Sequence, residues 1–115
     1  MELYVYKVSA ITRVVDGDTV DCDIDLGFKL YMNERVRLLG IDAPEVRTRD
    51  LEEKARGFEA KAWLEEKLNN AEVIYIKTDI KSDKYGRTLG EFFINDEQKS
   101  LNEQMVDEGL ALIYE

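Results

Sequence analysis

The chain has 115 residues, 44% of them hydrophobic and 36% charged, with 25 acidic side chains against 16 basic ones and a formal net charge of −9. That length suits one modest domain with a single core, and the balance reads as a soluble globular chain rather than a disordered one. Histidine is absent and Cys22 is the only cysteine, which excludes imidazole-based triads, HExxH zinc sites, thiolate zinc clusters and internal disulfides.

Residues 1–115 are therefore expected to form a single domain. No apolar run approaches the roughly 18 residues needed to cross a bilayer, so no membrane partner is expected. Residues 1–10 lack the basic start, apolar stretch and cleavage site of a secretory signal. The expected location is cytoplasmic for a full-length chain, and outside the cell for a mature or trimmed form.

Residues 3–15, rich in Tyr, Val and Ile, predict a first strand with an interruption near Ser9. Asp16-Gly17 supplies turn chemistry. Val20, Cys22, Ile24 and Leu26 then alternate with Asp21, Asp23 and Asp25, a period of two that predicts a second strand with its aspartates in solvent and Cys22 as a small core residue. An EF-hand loop starting at Asp21 fails, because Leu26 stands where Gly is needed and Met32 where Glu is needed. Residues 27–30 turn the chain, and Arg35–Ile41 predicts a third strand.

Residues 46–56 read as a charged loop, with a helix beginning between Glu52 and Phe58. Ala60, Trp63, Leu64, Leu68 and Ala71 recur at helical spacing, with Trp63 as core packing. Glu72–Lys77 predicts a fourth strand, Asp79–Thr88 a polar loop, and Leu89–Ile94 a fifth strand. Ser100 with Glu103 is a capping box for a short helix whose apolar side is Leu101, Met105 and Val106, ended by Gly109. Three strands, a helix, two strands and a final helix predict an α+β, mainly β fold. A five-stranded OB-type Greek-key barrel with a helix after strand three fits that order.

Three segments concentrate polar groups beside strands: Asp16–Thr19, Arg37–Glu45 and Asp83–Arg87. Asp18 shares the parity of Val20 and Cys22, so it points toward the barrel, where a carboxylate is costly unless paired or metal-bound. With strands two and three paired, Asp18 and Asp42 converge on one hard cation, calcium or magnesium. Arg37 and Arg87 offer guanidinium forks for phosphate oxygens and for the charge that develops when a phosphodiester is attacked. Glu45, held by Pro44, can accept a proton from attacking water. Singly, each of these residues reads as an ordinary rim ion pair.

Taken together, the three segments resemble the signature of the staphylococcal (micrococcal) nuclease family, and Asn102-Glu103 through Gly109-Leu110-Ala111 is similar to that family's second helix and its exit. The resemblance covers roughly residues 11–114. It implies an OB-type barrel and a monomeric, calcium-dependent nuclease that hydrolyses DNA and RNA with little sequence preference and leaves 3′-phosphate ends. It further implies Asp18, Asp42 and the backbone carbonyl of Ala43 as calcium ligands, Arg37, Glu45 and Arg87 as catalytic residues, and Lys84 and Tyr85 as contacts to a terminal phosphate. Tyr114 is a candidate for stacking on the base. The acidic total departs from the basic character of the family enzyme and implies weak or strongly salt-sensitive substrate binding. A non-catalytic nuclease-like module that binds nucleic acid or a protein partner is the alternative, and Asp18, Arg37, Asp42, Glu45 and Arg87 favour the enzyme over it.

Overall fold

The computed structural model describes residues 4–82 and 86–114, with the backbone alone at 80–82. Strand β1 (Val5–Asp16) runs antiparallel to β2 (Thr19–Gly27), and its register shifts between Val8 and Ala10, the interruption expected near Ser9. In β2 the side chains of Val20, Cys22 and Ile24 are buried while Asp21, Asp23 and Asp25 are half-buried. Those aspartates are not bare. Asp21 accepts from Arg35 Nε at 2.7 Å, Asp23 from Asn33 Nδ2 at 2.7 Å, and Asp25 from the Gly27 N–H at 2.8 Å. The hydrogen bond from Arg35 holds the Asp21 carboxyl below the usual carboxylate range.

β3 (Leu30–Leu38) pairs with β2, Thr19 opposite Arg37 and Gly27 opposite Leu30. It begins at Leu30 rather than Arg35 because the chain reverses in two residues, Phe28 and Lys29, both at positive φ. β5 (Ile74–Ser82) and β6 (Thr88–Ile94) complete the barrel, ordered β1-β2-β3-β6-β5. β5 continues through residues expected to be loop, its register shifting between Thr78 and Ser82. Closure on β3 is parallel and short: Val36, Arg37 and Leu38 face Thr88, Leu89 and Gly90. The five-stranded barrel with a helix after its third strand is the OB-type fold expected.

Two further strands of two residues each lie outside the barrel and were not anticipated. β4 (Ile41–Asp42) pairs with β7 (Leu112–Ile113).

Helix α1 (Leu51–Asn69) starts earlier than its apolar stripe suggests, because the Asp50 side chain accepts from the Glu52 and Glu53 N–H groups and caps it. Gly57, Ala60, Leu64 and Leu68 form its buried face, and Trp63 packs partly buried against the core. Ala71 lies past the helix and still packs there. Helix α2 (Leu101–Asp107) is capped by Ser100, whose Oγ accepts from the Glu103 N–H at 3.1 Å. It ends as the Leu110 N–H reaches back to the Met105 carbonyl and the Gly109 N–H to that of Val106, the paired bonds of a Schellman ending. Phe92, Leu38, Ile76, Leu64, Leu101 and Met105 are fully buried between the barrel and the helices, each stabilising the fold by about 1.5–3 kcal/mol through burial. Among the described residues no helix is long and apolar enough to cross a membrane.

Candidate active site

The turn from β1 into β2 carries Asp16-Gly17-Asp18-Thr19. Asp18 is 8% exposed, and its carboxylate is held on both oxygens. Oδ1 accepts from the Thr19 hydroxyl at 3.1 Å, and Oδ2 from the Ala43 N–H at 2.9 Å. A buried carboxylate persists only with such compensation. Gly17 makes the crowding possible: a Cβ there would stand 2.8 Å from Ala60 Cβ and 3.1 Å from Ala43 Cβ. The absence of a side chain lets the turn, α1 and the loop after β4 meet.

Arg37, at the end of β3, is the hinge of the site. Its side chain is 13% exposed. Nη1 donates to the Leu38 carbonyl at 3.0 Å and the Ile41 carbonyl at 2.9 Å, and Nη2 donates to Asp42 Oδ1 at 3.4 Å. The same Nη1 lies 3.5 Å from Asp18 Oδ2. One guanidinium therefore bridges the two carboxylates expected to share a cation. Asp42 was expected to end strand three; instead the chain leaves β3 at Leu38 and Asp42 falls in β4. The cause is local: the Leu39 N–H turns to the Gly90 carbonyl, and Arg37 takes up the carbonyls of the turn.

The Asp42 side chain is 59% exposed and sits at the rim of a cleft of about 570 Å³ that also reaches Glu45, Glu53, Arg56 and Leu110. Glu45 itself is exposed, and its backbone is gripped from two directions. The Val46 N–H donates to Asp16 Oδ1 at 3.4 Å. From the other side α1 presses in at Gly57, where a Cβ would stand 2.5 Å from the Glu45 carbonyl oxygen. Both aspartates of the first motif thus hold the segment that carries Glu45.

Arg87 lies just before β6 and is half-buried. Leu89 faces Arg37 across the parallel ladder, so Arg87, two residues earlier, is at the mouth of that ladder. Lys84 and Tyr85 lie outside the described residues. The Tyr114 ring lies over the Arg37 guanidinium, 5.9 Å from its centroid to Cζ, and the Tyr114 N–H bonds to the Gly40 carbonyl at 2.9 Å.

Asn102 is a site-supporting residue whose position in the motifs carried no such message. It is buried at 2% exposure. Its Nδ2 donates to the carbonyls of Leu39 at 2.9 Å and Gly90 at 3.1 Å, and its Oδ1 accepts from the Phe92 N–H at 3.2 Å. The side chain pins α2 to the β3 exit and to β6. A polar residue set between Leu101 and Met105 on the apolar side of a short helix was the available signal.

Carboxylate oxygens are the donor type that a hard divalent cation takes. Asp18 and Asp42 offer such oxygens, and among the described residues no group of three or more acidic, His or Cys side chains is placed to hold a metal ion. A six- to eight-oxygen shell for calcium at these two aspartates would draw its other ligands from backbone carbonyls and water.

The sequence model of the family described as "Staphylococcal nuclease homologue" matches residues 35–115. The chain is similar to the thermonuclease of Staphylococcus intermedius, 36% identical over 101 residues, which cover 88% of this chain and 56% of the relative. It is similar to Protein ParB of Escherichia coli, 34% identical over 111 residues, covering 90% and 55%. An uncharacterized protein of Methanocaldococcus jannaschii is 32% identical over 124 residues, covering 90% and 58%. The chain spans a little over half the length of these curated relatives. With its barrel, its three polar segments and a family match across most of its length, this chain belongs to the staphylococcal nuclease homologue family.

Proposed function

We propose that this domain is a calcium-dependent nuclease that hydrolyses phosphodiester bonds of DNA and RNA with little sequence preference and leaves 3′-phosphate ends. One observation carries the reading: the Arg37 guanidinium stands between the Asp18 and Asp42 carboxylates, and Asp42 lines a cleft that also reaches Glu45. Asp18, Asp42 and the Ala43 carbonyl would hold the calcium ion, which when bound supplies positive charge to the phosphate oxygens.

The protein's own groups take the remaining roles. Arg37 has Nε–H and one Nη2–H left beyond its bonds to Leu38, Ile41 and Asp42, and these orient a phosphate oxygen. Arg87 approaches from the mouth of the β3/β6 ladder and stabilises the charge that builds on the five-coordinate phosphorus. Glu45 accepts the proton of the water that attacks phosphorus as the bond to the 5′ oxygen breaks. Lys84 and Tyr85 would contact a terminal phosphate, and Tyr114, standing over Arg37, would stack on the base. An acidic total of −9 makes binding depend on these few cations, so turnover should fall steeply with added salt.

The test is digestion of single-stranded DNA at low salt with calcium, with magnesium and with chelator. Calcium-dependent cleavage, abolished by chelator and lost in Arg87→Ala, supports the reading. A folded sample that cleaves nothing under any metal would overturn it in favour of a non-catalytic binding module.

A further inference from the structure

We propose that a second copy of this chain covers the outer face of α1, the two helices running parallel about a two-fold axis. α1 buries Gly57, Ala60, Leu64 and Leu68 against the core. The opposite face carries a second apolar stripe. Leu51 is 79% exposed and Phe58 50% exposed, and Ala55 and Ala62 are exposed between and beyond them. The spacings of four, three and four residues are those of d, a, d and a positions in a heptad. The two alanines leave room for a neighbouring backbone to come close beside the larger Leu51 and Phe58.

Charge sorts on the two sides of this seam. Lys54 and Lys61 occupy the g positions on one flank, and Glu52, Glu59 and Glu66 occupy the e positions on the other. Lys54, Glu59, Lys61 and Glu66 form no ion pair among the described residues. In an antiparallel pairing g meets g and e meets e, which sets lysine against lysine and glutamate against glutamate. In a parallel pairing each g residue meets the e residue five positions later on the partner, Lys54 with Glu59 and Lys61 with Glu66, and symmetry doubles both pairs. The charges therefore select a parallel, isologous dimer. The buried face of α1 holds each barrel on the side of the helix away from this seam. The seam ends after Ala62, where Glu65 and Asn69 take the next positions, and each copy carries −9, so the association is weak and concentration-dependent. It replaces the monomer that the family resemblance implies.

Sedimentation equilibrium from micromolar to millimolar concentration tests this, with two charge variants whose fold is checked by circular dichroism. Lys54→Glu with Lys61→Glu makes both flanks acidic; Glu59→Lys with Glu66→Lys makes both flanks basic. The wild type should self-associate, each variant alone should do so about tenfold more weakly or worse, and an equimolar mixture of the two should recover association. Ala62→Cys reads orientation, since a parallel seam brings this position onto its symmetry mate and an oxidant should then link the two copies. A wild-type monomer throughout overturns the proposal and assigns the face to a helix of another protein. Association unchanged in both charge variants, or an Ala62→Cys dimer that will not cross-link, also overturns it.

Discussion

The Ala43 N–H donates to Asp18 Oδ2 at 2.9 Å, and this bond joins the entry of β2 to the loop that presents Glu45. Asp18 therefore has two duties, placing negative charge beside Arg37 and fixing the backbone of the segment that carries the proposed base. Asp42, with a more exposed side chain, has only the first. The two aspartates are chemically alike and physically unequal.

That inequality is measurable. Asp18→Asn and Asp42→Asn should each weaken calcium binding by more than about tenfold in a calorimetric titration. Asp18→Asn should also lower the unfolding free energy, by about 1–3 kcal/mol, through the buried hydrogen bonds it disturbs. Asp42→Asn should leave folding nearly unchanged. Unaltered calcium affinity in both variants would remove the metal assignment.

Glu45→Gln and Arg87→Ala should separate chemistry from stability. Each should reduce kcat by about 10²–10³-fold with little change in denaturant midpoint, and Glu45→Gln should keep its calcium affinity. Parallel losses of activity and stability in Arg87→Ala would make that arginine a structural ion-pair partner.

Asn102→Ala strips three backbone groups of partners, the Phe92 N–H and the carbonyls of Leu39 and Gly90, of which Gly90 keeps the Leu39 N–H. The expected cost is about 2–3 kcal/mol in urea unfolding. Asn102→Asp, which cannot donate to the two carbonyls, should be no better.

Gly57→Ala sets two effects against each other. Alanine in a helix interior is ordinarily favoured over glycine by roughly 0.5–1 kcal/mol. Here the added Cβ would meet the Glu45 carbonyl oxygen at 2.5 Å, a backbone atom with little freedom to yield. Overpacking costs about 1–3 kcal/mol, so the clash wins: the variant should melt lower and lose kcat through displacement of the Glu45 loop. A higher melting temperature would show the loop to be compliant.

Cys22 gives a pH prediction. Burial, followed by the charges of Asp23, Asp21 and Glu34, pushes its thiol up from 9.0 to about 12. The folded state then holds the proton after the unfolded chain has released it. Stability from this source is complete below the unfolded value and is lost as pH rises from 9.0 toward about 12. Cys22→Ala should flatten that alkaline decline in thermal melts. In the native protein the thiol should resist alkylation at pH 8 until denaturant is added.

The sequence disclosed what repeats and what clusters. The alternation from Val20 to Ile24 placed β2 and set Asp18 toward the barrel, and the stripe Ala60, Trp63, Leu64 and Leu68 placed α1. The first two polar segments supplied Asp18 and Asp42, which meet at Arg37, while of the third only Gly86 and Arg87 are among the described residues. What stayed hidden depends on contacts without a period. β4 and β7 have two residues each and pair Ile41 with Ile113, a union too short for alternation to announce. The start of α1 was set by Asp50, a single capping side chain outside the apolar stripe. Asn102 speaks only through partners far along the chain, and Gly57 only through what an absent atom would touch.

The parallel strip that closes the barrel, Val36–Leu38 against Thr88–Gly90, holds Arg37 at its centre and has Arg87 at its mouth. Architecture and chemistry share one zipper. A fragment that ends before Arg87 would lack the second arginine, the partner of β3 and Asn102 in a single cut. It should be inert, with no feeble remnant of activity, and cleavage should return only when the complementary C-terminal piece is supplied.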